Sequence, residues 1–210
     1  VMPGVPMVAV FDTTFHSTMP AKAYMYGIPY SVYDQYKVRK YGFHGTSHKF
    51  VSEETIKLLG KKDSKIIVCH LGNGSSISAV KDGKCMDTSM GFTPLEGLVM
   101  GTRSGDIDPA ASEFIRAKLG LTPEELVQYL NKKCGMLGVS ELSSDMRDLE
   151  KGINEGNEKA KLAVEVAAYR IKKYIGSYAA TLNGVDAIVF TGGIGEHSDL
   201  MRRLVMEDME

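Results

Sequence analysis

KIIVCHLGNGSSISAVKDGKCMD, residues 65–87, is the stretch whose reading decides the fold. Residues 65–70 (KIIVCH) form a continuous apolar, β-branched run, the pattern of a buried strand. Leu71-Gly72-Asn73-Gly74 is a turn. Residues 75–81 (SSISAVK) alternate and read as a further strand. Asp82-Gly83 is a two-residue hairpin turn, and residues 84–87 are the returning strand. Strand, glycine turn, strand, hairpin and strand make one compact β unit.

Upstream, residues 5–11 (VPMVAVF) read as a buried strand that opens into Asp12-Thr13. Residues 14–42 are Tyr-rich and irregular, with Pro20 and Pro29 as breakers. A helix is expected from Thr46 or Ser47 to Gly60, a residue suited to ending one. Downstream of Pro94 the pattern turns helical. Asp108-Pro109 opens a helix to about Leu119. Thr122, followed by Pro123-Glu124-Glu125, caps another to about Lys133. A long amphipathic helix spans about 156–182, with Leu162, Val166, Tyr169 and Lys173 three or four residues apart. Residues 187–191 (AIVFT) are a last buried strand, followed by a glycine turn at 192–195 and a final helix. The mixture of hairpins and helix crossovers predicts an α/β fold.

Composition narrows the function. The 210 residues are 43% hydrophobic and 24% charged, with Lys plus Arg 25 against Asp plus Glu 26, a net charge of −1. That balance carries no electrostatic footprint for nucleic acid or anionic membrane. No stretch approaches the roughly 18 apolar residues of a membrane span. Cys69, Cys85 and Cys134 are odd in number and widely spaced, so they read as buried thiols in a reducing, cytoplasmic compartment. The sequence opens on Val1 and runs straight into an apolar stretch, which reads as a piece of a longer chain. The P-loop, the dinucleotide GxGxxG, HExxH and the protein-kinase HRD and DFG sets are all absent.

Several residues could carry chemistry. Glycine turns directly after two buried strands, at 71–74 and 192–195, let backbone N–H groups approach a phosphate. A single such turn is an ordinary tight turn, whereas the pair suggests a phosphate-rich ligand held between two walls. Asp12, at the mouth of a strand, is a general base, a metal ligand or a helix cap. Arg103 lies among small residues and either pairs with Asp106 or Asp108 or reaches into a cleft as a planar cation for phosphoryl oxygens. His44 and His48 are four apart, yet Gly45 and the lack of a third ligand argue against a metal. His44 reads better as a hydrogen-bond donor in a cleft. His70 is either a core histidine or a phosphate donor. Asp145 and Arg147 sit at a helix N-terminus capped by Ser143 or Ser144.

Six segments together resemble the acetate kinase family: VFDTTFH (10–16), YGFHGTSH (41–48), HLGNGSS (70–76), FTPLEGLVMGTRSGD (92–106), SSDMRD (143–148) and TGGIGE (191–196). They occur in the family's order and spacing along essentially the whole chain. The resemblance implies an RNase H-like fold of the actin, Hsp70 and sugar-kinase type, with a mixed sheet and helices on both faces. It implies that residues 1–14 end a first domain, 15–63 connect and line an acetate site, and 64–210 form a second, nucleotide-binding domain truncated at its C-terminus. The implied reaction is reversible transfer of the γ-phosphoryl of ATP to acetate, giving acetyl phosphate and ADP. Asp12, His44 and Arg103 match the catalytic positions, and Phe43 and Pro94 match the pocket for the acetate methyl. His70, Leu71, Gly72, Asn73 and Gly74 match the donor-phosphate turn. Asp145, Met146 and Arg147, with Gly193, Ile194, Gly195, Glu196 and His197, match the nucleotide loops. The family's Mg²⁺ ligands lie outside this sequence, as do a substrate-binding Arg and a C-terminal Glu, so the 210-residue piece is expected to be inactive by itself. His197 stands where the family commonly has Asn. A homodimer through the second domain is implied as well. Propionate kinase and a non-catalytic nucleotide-binding fragment are the alternatives.

Overall fold

A computed structural model describes residues 2–209. Its centre is a four-stranded mixed sheet in the order β3-β2-β1-β4. β1 (Lys65–Leu71), β2 (Ser75–Lys81) and β3 (Lys84–Thr88) are antiparallel neighbours, whereas β4 (Ala187–Thr191) pairs parallel to β1 with His70 opposite Thr191. Asp82 and Gly83 both take positive φ, 51° and 74°, the primed turn that matches the twist of a hairpin.

Helices cover both faces. Ile67, Cys69 and Leu71 point toward α8 (Glu158–Leu182), in a core that includes Ala163, Ala167, Ile171 and Ile175. Ile66, Val68 and Val80 face the opposite way, with Val51 and Ile56 of α3 (Gly45–Leu59) packed on them. Each fully buried Ile or Val is worth about 1.5–3 kcal/mol. Covering on both sides also explains β2, whose alternating sequence does not alternate in exposure: Ser75 through Val80 are all buried. The polar members are satisfied internally. Ser78 Oγ and Thr88 Oγ1 lie 3.0 Å apart, Thr88 Oγ1 donates to the Ile77 carbonyl, and the Ile77 N–H donates to Ser89 Oγ.

The remaining helices are α1 (Ala21–Tyr24), α2 (Tyr30–Tyr36), α4 (Pro109–Leu119), α5 (Pro123–Lys132), α6 (Gly135–Ser140), α7 (Met146–Asn154), α9 (Gly192–His197) and α10 (Asp199–Met206). Asp108 caps α4 on the Ala110 N–H, and Thr122 with Glu125 forms a reciprocal capping box on α5.

Four expectations are corrected. Residues 5–11 form no strand, and Met7, Val8, Val10 and Phe11 are exposed, because no described strand supplies the ladder partners an apolar strand needs. Residues 14–42 are not irregular throughout: a 3₁₀ turn at Thr14–Thr18 precedes α1 and α2. The stripe of Leu162, Val166, Tyr169 and Lys173 is not the core face of α8. Leu162 and Tyr169 are 51% and 66% exposed, and the small residues Ala160, Ala163 and Ala167 are buried instead, because close approach of the helix to the sheet selects small side chains. Finally, β4 is an edge strand of the described sheet and only half-buried, and the 192–195 turn is already the first turn of α9. Cys69 and Cys85 are buried as expected, while Cys134 is half-buried.

Candidate active site

The Asp12 region and the N-terminus of α3 are locked together. The Asp12 carboxylate accepts the His44 backbone N–H at 2.7 Å, and its carbonyl accepts the Gly45 N–H at 2.9 Å. A Cβ on Gly45 would lie 2.3 Å from that carbonyl, which is why glycine opens this helix. Asp12 caps no helix in the strict sense: its carboxylate binds the N–H of His44, the residue that itself precedes α3. His44 sits just outside the helix with φ 56° and ψ 24°, a left-handed conformation uncommon for a residue with a side chain. Its imidazole is thereby turned away from the helix and toward the 71–74 turn.

Arg103 meets it there. A Cβ placed on Gly74 would be 3.5 Å from Arg103 Nη1 and 3.6 Å from His44 Nε2, so both donors converge over this glycine. Among the described residues no carboxylate lies within 4.0 Å of the Arg103 guanidinium. The expected pairing with Asp106 or Asp108 is therefore not made. Asp106 is engaged by Arg170, Tyr174 and the Gly97 N–H, and Asp108 caps α4. Arg103 Nη1 donates to the Pro94 carbonyl at 3.2 Å. Residues 100–104 are held by main-chain bonds to Leu130, Cys134, Met136 and Leu137. The Gly101 N–H in turn donates to the Asn73 carbonyl at 3.0 Å, docking the Arg103 segment directly on the turn.

Four of the five histidines cluster around these donors. The His44 and His70 rings stack at 4.2 Å, His48 lies 6.4 Å from His44, and His16 lies 5.7 Å from His48. His70 Nδ1 bonds Ser47 Oγ, and His16 bonds the Phe43 carbonyl and Cys85 Sγ. Burial lowers the pKa of all four. His44 is pushed down to about 4, with His70 and Arg103 adding to the effect against the raising influence of Asp12. Burial thus favours the neutral form of each. Among the described residues no group of three or more His, Cys, Asp or Glu side chains can enclose a metal ion.

On the other side of the turn a cavity of about 440 Å³ opens. Gly72, Asn73, Asp145, Met146, Arg147, Gly193, Ile194 and His197 line it, all of them residues that the resemblance assigns to the phosphate turn and the nucleotide loops. Ser144, Glu150 and Ser198 line it too and were not foreseen. Glu150 stands one helical turn beyond Met146 on α7, so the 3.6-residue period could have found it. His70, Leu71, Gly74, Gly195 and Glu196 do not line it. Leu71 is 1% exposed and faces α8, and Gly195 is buried. The Glu196 carboxylate accepts from Thr191 Oγ1 and the Gly192 N–H at the start of α9. The cap of α7 is Asp145 itself, on the Arg147 N–H, and not Ser143 or Ser144. Ser143 accepts the Asp145 N–H instead. The Arg147 guanidinium holds the Asp145 carboxyl down at about 2. Phe43 and Pro94 are outside this cavity, and both reach the donor side through their backbones.

The arrangement is an α/β sheet with two donors on one edge of a glycine turn and the cavity on the other. The fold matches solved kinases. The acetate kinase of Porphyromonas gingivalis superposes with a TM-score of 0.95 at 50% identity, over 99% of this chain and 52% of that one. A propionate kinase from Francisella tularensis gives 0.93 at 50% identity, over 97% and 53%. The sheet with helices on both faces is thus of the actin, Hsp70 and sugar-kinase type. The profile of the acetokinase family matches residues 1–210, and the chain belongs to that family. The acetate kinase of Desulfitobacterium hafniense is 61% identical over 211 residues, covering 100% of this chain and 53% of that protein. The chain spans about half the length of the curated relatives it matches.

Proposed function

We propose that the protein to which this chain belongs transfers the γ-phosphoryl of ATP to acetate, giving acetyl phosphate and ADP, reversibly. The observation that carries this is the convergence of Arg103 and His44 over Gly74, on the far edge of a turn whose Gly72 and Asn73 line the cavity. A nucleotide in that cavity runs its phosphates along the turn and brings the γ-phosphoryl under the two donors. A carboxylate oxygen attacks phosphorus, the bond to the β-phosphate oxygen breaks, and ADP leaves. Acetate is already an anion, so no base is needed. The difficulty is bringing two anions together, which a planar cation and a neutral N–H donor relieve. Asp12 holds the His44 backbone in place and is the acidic residue nearest the transfer. Mg²⁺ would neutralise the phosphates, but the described residues form no cluster able to enclose it, so no step is assigned to it through this chain.

In this reading residues 1–14 end a first domain, 15–63 connect and line the acetate site, and 64–210 are the nucleotide-binding domain. His70, Leu71, Gly195 and Glu196 then act through the backbone or the scaffold of the two loops. Phe43 and Pro94 border the acetate methyl. Such a pocket discriminates only about 1–3 kcal/mol per methylene, so propionate is turned over as well. The likeness to a propionate kinase keeps that acid as the second reading. Homodimerisation is supported by exposed apolar side chains: Phe114 on α4, Val127 on α5, and Leu162 and Tyr169 on α8. Three uncrosslinked thiols fit a cytoplasmic location.

The test is Arg103→Ala in the full-length protein. Turnover is expected to fall roughly 10³–10⁵-fold with nucleotide affinity nearly unchanged. Equal losses in both would reject Arg103 as a donor to the transferring group.

A further inference from the structure

Ser76 lies between two imidazoles. Its Oγ is 2.9 Å from His44 Nδ1 and 2.7 Å from His48 Nε2, and it has no third partner among the described residues. The residue is fully buried, as is His48, and among the described residues His48 Nδ1 has no hydrogen-bond partner. A serine hydroxyl has one proton, so only a few arrangements connect these atoms.

In the first, His48 Nε2–H donates to Ser76 Oγ, Ser76 O–H donates to His44 Nδ1, and His44 carries its proton on Nε2. The unpartnered His48 Nδ1 is then a bare lone pair. In the second, the chain runs backwards: His44 Nδ1–H donates to Ser76, Ser76 donates to His48 Nε2, and His48 must carry a proton on its buried, unpartnered Nδ1. In the third, both rings donate to Ser76 and the serine proton has no acceptor. A buried N–H or O–H without a partner costs more, and is rarer, than an unfilled acceptor. The first arrangement leaves no buried donor unpaired; the one free N–H, on His44 Nε2, is the one turned toward Gly74.

We propose that Ser76, oriented by His48, fixes His44 as the tautomer protonated on Nε2, so that a neutral imidazole presents an N–H beside Arg103 over Gly74. Ser76 and His48 are positioning residues: neither faces the turn, and both act through His44. Stacking of His70 on the His44 ring, with His70 itself held by Ser47, keeps the imidazole from turning over. Burial and the neighbouring Arg103 hold His44 unprotonated near pH 7, so its single proton must be placed, and the Ser76 chain places it. The kinetic consequence rests on the phosphoryl-transfer reading above, whereas the tautomer does not.

The experiment is nitrogen–proton correlation spectroscopy on the protein with isotopically labelled histidine, His44 being assigned by its loss in His44→Gln. The expected spectrum shows His44 and His48 each protonated on Nε2. A His44 protonated on Nδ1 in the unaltered protein overturns the proposal without any variant having to fold. In Ser76→Ala the His44 signals should become a mixture of tautomers, and in His48→Leu they should shift the same way. His48→Gln, which keeps an N–H toward Ser76, should restore the native pattern. An unchanged, pure Nε2 tautomer in both Ser76→Ala and His48→Leu overturns the assigned cause. In turnover, Ser76→Ala should lower kcat at least about tenfold with little change in nucleotide KM, short of the roughly 10²–10³ that deleting a donor costs. The expected spectrum together with full turnover in Arg103→Ala would support the tautomer and reject only the proposed reaction.

Discussion

His44 occupies a backbone conformation that most residues avoid, and the Asp12 carboxylate on its N–H is what holds it there. The chemistry of the site follows from neutral imidazoles packed together, and so does a stability trend. Each of His16, His44, His48 and His70 has a pKa below its unfolded value of 6.5. Between the two pKa values the unfolded chain binds protons that the folded chain refuses, so stability rises with pH there. The contribution of His44 is fully present above about pH 6.5 and is lost as pH falls toward about 4. Urea unfolding at several pH values should show midpoints dropping across that window. The slope should flatten in His44→Gln, and an unaltered slope would mean that His44 titrates normally.

Among elements, α5 begins with the most complete cap, Thr122 and Glu125 bonding each other's backbone. Thr122→Ala should cost about 1 kcal/mol, read from the thermal midpoint, with no effect on ligand binding. The 100–106 segment behaves differently at its two close contacts. A Cβ on Gly101 would lie 1.8 Å from the Asn73 side-chain oxygen, an exposed group that can swing aside. Gly101→Ala is therefore expected to weaken nucleotide binding more than it weakens the fold. A Cβ on Gly135 would lie 2.2 Å from the Met100 carbonyl, at φ +64°. That backbone has nowhere to go, and Gly135→Ala should lose about 2 kcal/mol or more. Comparable melting temperatures for the two variants would contradict this distinction. β1 to β3 were legible from residues 65–87 because strand period, turn glycines and the Asp-Gly hairpin all act locally. The core face of α8 was misread because Ala and Leu stripes both recur at helical spacing, and only the sheet beneath selects the smaller one.

For the molecule as a whole, the cavity lies within one body made of the sheet, α7 and α9. Calorimetric titration of Mg·ADP into this chain should give saturable binding at one site, weakened by Asp145→Ala. A chain that melts cooperatively yet binds nothing would show that the pocket needs residues beyond those described. Exposed Leu162 and Tyr169 make a second whole-molecule prediction. Tyr169→Glu should shift the sedimentation of the protein from dimer to monomer while leaving the cavity intact, and a native protein that sediments as a monomer would reject the dimer.

The sequence by itself determined the β unit at 65–87, the caps at Asp108 and Thr122, the glycine turns and the identity of the residues around them, because each depends on neighbours a few positions away. It left Asp12 open between base, ligand and cap, and Arg103 between ion pair and cleft. Tertiary structure supplied their partners. Asp12 meets His44 across 32 positions. Among the described residues Arg103 is left without a carboxylate because Asp106 is taken by helix α8, and Ser76 comes between His44 and His48 only when β2 packs beneath α3. Partners brought together from distant positions fix which atoms are free to act, and no local pattern carries that information.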